Sequence, residues 1–156
     1  MKRLTALDIR VYDYVQEYSK VTKRFSMPMY VDSIFGEETV YLTFSGNEAD
    51  PWEENTEDLY AIEVDEDTLR QFGFEKYGQA YILRYDGYSI TVRFPGDRPI
   101  QVIITAGMSF WKLSTGCKYV HDIQHFFYDQ TKKALKLDWI GDSRLQRAAT
   151  DEMGKV

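Results

Sequence analysis

His121 and His125 stand four residues apart in KYVHDIQHFFYDQTKKAL, and they are the two histidines of the chain. On a helix that spacing puts both imidazoles on one face, where they could share a metal ion. Cys117 would lie about one turn earlier. The pattern is not His-Glu-x-x-His, because Asp122 follows His121, and Gly116 argues that the thiol precedes the helix. The simpler expectation is that both histidines decorate the solvent face with no metal and that no cofactor is needed. A metal-dependent hydrolase using the pair is the alternative.

A second constellation is basic and aromatic. Arg84, Arg93, Arg98, Lys112 and Lys118 interleave with Tyr81, Tyr85, Tyr88 and Trp111. Guanidinium forks beside aromatic faces suit an anionic ligand that carries a base. The expected ligand site is therefore Arg84, Tyr85, Tyr88, Arg93, Arg98, Trp111 and Lys112, with His121 nearby. Charges on the solvent faces of antiparallel strands would alternate in the same way. Covalent and phosphate-cradling chemistry find no support. There is no G-x-S-x-G, no Walker A and no G-x-G-x-x-G, so no catalytic residue is assigned.

The elements that must carry these residues can be read from periodicity. Residues 7–15 alternate as a strand; 28–35 and 38–44 form a hairpin through Gly36. Residues 46–58 contain six acids around Trp52 and predict an acidic loop, with Trp52 as a clip holding it down. Strand character returns at 59–64. Asp65 to Gly73 predicts a short helix with acids at its start and glycine at its end. Strands follow at 80–85, 88–94, 100–105 and 108–113, the first pair joined by Asp86-Gly87. A helix over 118–135 packs Val120, Ile123 and Phe127 on the sheet and turns His121 and His125 outward. The fold class is α+β: one antiparallel β-rich domain over 1–137, closed by an amphipathic helix. Residues 138–156 form a polar tail, a candidate docking or homo-oligomerisation segment.

Composition narrows the class. The 156 residues carry a net charge of −6, which opposes non-specific binding to nucleic acid or anionic membranes. One cysteine, no signal peptide and no apolar run of roughly 18 residues point to a soluble protein of a reducing cytoplasm with no membrane partner.

Residues 65–76 (DEDTLRQFGFEK) resemble the "LTxExLxxxGFEK" segment of small proteins encoded by phages and mobile elements of gut anaerobes. Residues 117–137 resemble their closing "KYVHxLQNLYxALTGxEL" helix, through Tyr119, Val120, His121, Ile123 and Gln124. DIRVYDYV, residues 8–15, resembles their "DLRIGNYV" opening more loosely. His125 departs, standing where asparagine is usual. The resemblance implies a phage or prophage accessory gene acting in a host bacterial cytoplasm and transfers no activity. Such small accessory proteins mostly act by binding. The expected function is thus a non-enzymatic anti-defence protein that sequesters a small nucleotide-like signal. The alternative partner is a host protein, inhibited by the acidic loop as a nucleic-acid mimic.

Overall fold

The computed structural model describes residues 2–44 and 51–140. It is an α+β fold of two antiparallel sheets, a short helix and a longer C-terminal helix. The first sheet is built from β1 (Tyr14–Ser19), β2 (Arg24–Phe25), β3 (Met29–Phe35), β4 (Thr39–Thr43), β5 (Trp52–Asn55) and β6 (Leu59–Tyr60). Its order is β2-β1-β3-β4-β5, with β6 also paired to β1. α1 (Glu66–Gln71) follows. The second sheet is a meander of β7 (Glu75–Tyr77), β8 (Ala80–Tyr85), β9 (Tyr88–Arg93), β10 (Gln101–Ala106) and β11 (Phe110–Ser114), and α2 (Val120–Thr131) comes last.

Side chains of neighbouring strand residues point to opposite faces, and β1 and β3 use this to separate two cores. Tyr14 and Tyr30 face a large core with Ile90, Val92, Val102, Ile104, Ile123 and Phe127. Val15, Met29 and Val31 face a smaller core with Leu4, Ile9, Leu42 and Leu59. The first sheet is therefore a wall shared by both. α2 covers the inner face of the second sheet, where Phe127 meets Tyr85 at 5.7 Å and Tyr88 at 5.4 Å between ring centroids.

The local signals of the meander hold. Asp86 and Gly87 have φ of 49° and 82°, the paired left-handed geometry of a tight hairpin whose twist matches its strands. Asp65 caps α1 by accepting the Thr68 amide at 2.7 Å. Gly73 ends that helix at φ +91°, and a Cβ there would lie 3.3 Å from Ile140 Cδ1. The positive φ favours glycine, and a Cβ would make the Ile140 side chain give by a few tenths of an ångström.

Four expectations are corrected. The segment 7–13 is not strand: β1 begins at Tyr14, and Leu7 is fully exposed. Asp8 accepts the Thr5 amide and Asp13 accepts the Arg10 amide, so the aspartates of the alternating pattern bend the chain into two turns. Second, the acidic segment is loop only in part. Trp52–Asn55 forms edge strand β5, paired to β4 with Trp52 opposite Leu42. Trp52 does clip the segment down, with its ring 4.9 Å from that of Phe44. Residues 45–50 lie outside the described residues. Third, the strand at 59–64 shortens to β6 and a single bridge from Glu63 to Tyr119. Fourth, α2 is shorter than 118–135 and stops where Lys132 turns left-handed at φ 60°. The chain beyond it docks: Leu135 and Leu137 are buried, Trp139 packs on Phe72, and the Ile140 amide donates to the Gln71 carbonyl at 2.7 Å. So 138–140 is not free tail. The oligomerisation expectation rests on 141–156, outside the described residues.

Candidate functional site

The histidines are not on the solvent face. His121 is 2 % exposed, its ring stacked on Tyr119 with planes 7° apart and centroids 5.9 Å apart. Its Nε2 lies 3.5 Å from Asp122 Oδ1, and its Nδ1 is buried with no hydrogen-bond partner among the described residues. Burial pushes its pKa down, against the upward pull of Asp122 and Asp13. His125 lies edge-on to it at 5.3 Å. Its Nε2 is 2.6 Å from Asp13 Oδ2. That nitrogen is spent, which removes it as a metal ligand in this arrangement. Among the described residues, no three His, Cys, Asp or Glu side chains cluster as a metal site would need. Cys117 sits apart, buried against Ser114, and burial pushes its thiol up to about 11.

The basic and aromatic set divides over three places. Tyr85 and Tyr88 are on the inner face of the second sheet, in the core against Phe127. Tyr85 also donates its hydroxyl to the Ala134 carbonyl at 3.1 Å. Arg84, Arg93 and Trp111 share the outer face. Register aligns Arg84 with Ser89, Ser89 with Thr105 and Thr105 with Trp111 in one row, and Ala80, Arg93 and Gln101 in another. Lys112 is on the same edge strand as Trp111 but on the opposite face. His121 belongs to α2, where it stacks on Tyr119 and lies beside His125 rather than on the second sheet.

Arg93 and Arg98 come together. With Tyr77, Gln79, Phe94 and Gln101 they line a pocket of about 490 Å³ at one end of the meander. The Pro95-Gly96 turn brings Arg98 back over the end of β9, with Gly96 at φ 71°. Neither guanidinium has an ion-pair partner among the described residues. The stretch 75–118 carries six cations and three anions in a chain whose net charge is −6, so positive potential concentrates on this sheet. Arg84 lies four residues from this row along the strands, roughly 13 Å away.

A second cleft went unseen in the sequence. It holds about 330 Å³ between the 10–13 turn and α2, lined by Val11, Tyr12, Asp13, His125, Tyr128 and Leu135, among others. Asp13 is 2 % exposed, and its Oδ2 accepts from the Arg10 amide at 2.8 Å as well as from His125. Burial pushes its carboxyl pKa up, and the hydrogen bond to His125 opposes that. Tyr12 takes φ +77°, a conformation in which a Cβ is strained. Two bonds hold the strained backbone: the Tyr12 amide donates to the Val31 carbonyl at 2.8 Å, and Gln124 Nε2 donates to the Tyr12 carbonyl at 2.7 Å. That segments 8–15 and 119–124 touch was not visible in the sequence.

Of the described residues, no helix is long and apolar enough to cross a membrane. No family model, curated protein or solved structure matches the chain.

Proposed function

We propose that this chain is a non-enzymatic binding protein that captures a small anionic, nucleotide-like ligand in the pocket between Arg93 and Arg98. The observation that carries the reading is the pair of guanidiniums lining one polar pocket without an anion of their own among the described residues. Two forks can each take a phosphate oxygen pair, and Tyr77, 52 % exposed, gives a base a face to stack on. Gln79 and Gln101 add neutral donors and acceptors at the rim. The lining residues include no carboxylate, histidine or thiol to act as a general base, and the Tyr77 hydroxyl donates to Glu75 at 3.0 Å, which favours capture over turnover. Withdrawing a nucleotide signal in this way would interfere with host defence, the role that the resemblance of residues 8–15, 65–76 and 117–137 to phage and mobile-element proteins implies.

The test is incubation with a panel of mono-, di- and cyclic nucleotides, then denaturation and chromatography of what is released. Capture and intact release support the reading. Arg93→Ala and Arg98→Ala should each weaken capture by well over tenfold, whereas Arg84→Ala should weaken it less. Release of altered nucleotide makes the protein an enzyme. No depletion, together with loss of host inhibition when Glu53 and Glu54 are replaced, favours the competing acidic-mimic reading.

A further inference from the structure

We propose that the cleft between residues 10–13 and α2 is a separate binding site for an uncharged aromatic molecule that carries one polar hydrogen, of the phenol or indole class. The walls set the aromatic part. Val11, Tyr12, Tyr128, Ala134 and Leu135 contribute mostly carbon to the roughly 330 Å³ space, and Val11 and Tyr128 remain 43 % and 44 % exposed, open at its mouth. Charge excludes an anion. Arg10 is the one lysine or arginine among the residues that line the cleft, its guanidinium is held by Asp129 at 2.9 Å, and a carboxylate or phosphate would face the buried Asp13. A cation would meet Arg10 at the rim and a carboxylate oxygen that already accepts two hydrogen bonds.

The polar end is the Asp13–His125 pair. A carboxylate can only accept, so His125 Nε2 donates to it at 2.6 Å, and in the neutral imidazole Nδ1 keeps its lone pair. Nδ1 has no partner among the described residues and is not a buried unsatisfied atom, so solvent reaches it. An acceptor held rigid by a buried carboxylate reads a hydroxyl or an indole N–H. Tyr12 supplies the independent sign of a ligand site. Its strained backbone is pinned from both sides at the cleft wall, and Lys136 Nζ stands 4.4 Å from its ring centroid, leaving the aromatic plane fixed in place. Strain of this kind persists where the surroundings over-determine it.

Titration of the full-length, ¹⁵N-labelled protein with 4-methylphenol, toluene and benzoate, followed by amide NMR shifts, tests this. Saturable binding of 4-methylphenol is expected, with shifts centred on 10–13, 124–128 and 134–135. Toluene should bind about tenfold more weakly and benzoate not at all. Val11→Trp, at an exposed position where the fold tolerates bulk, should plug the cleft and remove the response with an unchanged melting temperature. Equal affinity for toluene, saturable binding of benzoate, shifts elsewhere, no saturable shift, or normal binding by Val11→Trp would each overturn the assignment.

Discussion

Gln124 Oε1 accepts the amide of Tyr14 at 2.9 Å, across a sequence separation of 110 residues. Its Nε2 donates to the Tyr12 carbonyl at 2.7 Å and to the Leu135 carbonyl at 3.1 Å. One buried amide thus ties α2 to the start of β1 and to the segment that leaves the helix. Gln124→Leu keeps the volume and removes the side-chain partner of three backbone groups, two of the bonds buried and one part-buried, at about 1–3 kcal/mol for each group left unsatisfied. A loss of about 3 kcal/mol is expected in urea unfolding, read as a lower midpoint at unchanged slope. A loss below about 1 kcal/mol would show that these groups find other partners.

Tyr12 allows a comparison at fixed backbone. At φ +77° any Cβ is strained, so Tyr12→Gly and Tyr12→Ala both delete the ring and its contact with Lys136, but only glycine relieves the strain. The glycine variant should be more stable than the alanine variant by about 1 kcal/mol. The reverse order in thermal melts would mean that the turn relaxes to negative φ in solution.

His121 makes stability depend on pH in a defined direction. Burial depresses its pKa below the usual 6.5, so the unfolded chain binds more protons than the folded one in the window below that value. Stability present above pH 6.5 is lost as pH falls through the window. His121→Phe, which keeps a ring against Tyr119, should flatten the slope of unfolding free energy between about pH 6.5 and 5. Asp13 contributes with the opposite sign. Its raised pKa gives stability that disappears as pH rises above 3.8 toward the folded value. A slope unchanged by His121→Phe would assign the pH dependence elsewhere.

Cys117 is 4 % exposed with its thiol pushed up to about 11 by burial. Alkylation by iodoacetamide at pH 8 should therefore run on the order of a hundredfold slower than in denaturant, because so little thiolate is present and so little of it is reachable. Comparable rates in the two conditions would place the sulfur at the surface.

The sequence by itself determined the elements whose cues are local. The alternation over 80–85, 88–94 and 100–105 and the Asp86-Gly87 turn reach the second sheet nearly residue for residue, because register there is set by hairpins between neighbours. Asp65 and Gly73 likewise bracket α1 through contacts a few residues long. Tertiary structure decided the rest. Asp8 and Asp13 looked like the polar half of a strand, and only the partners they find turn the chain. The apolar stripe Val120, Ile123, Phe127 correctly marked the face of α2 that meets the sheet. It could not reveal that the helix is wedged against a second layer, the turn at 8–14, which buries His121 and Gln124 as well. Hydrophobic periodicity records burial against carbon. A face buried by hydrogen bonds carries polar residues and is written in the sequence as if it were solvent. For the same reason Arg93 and Arg98 could be named in advance but not paired. They stand five positions apart, and the Pro95 to Pro99 turn brings both to one pocket, while strand register places Arg84 and Trp111 in another row and α2 carries His121.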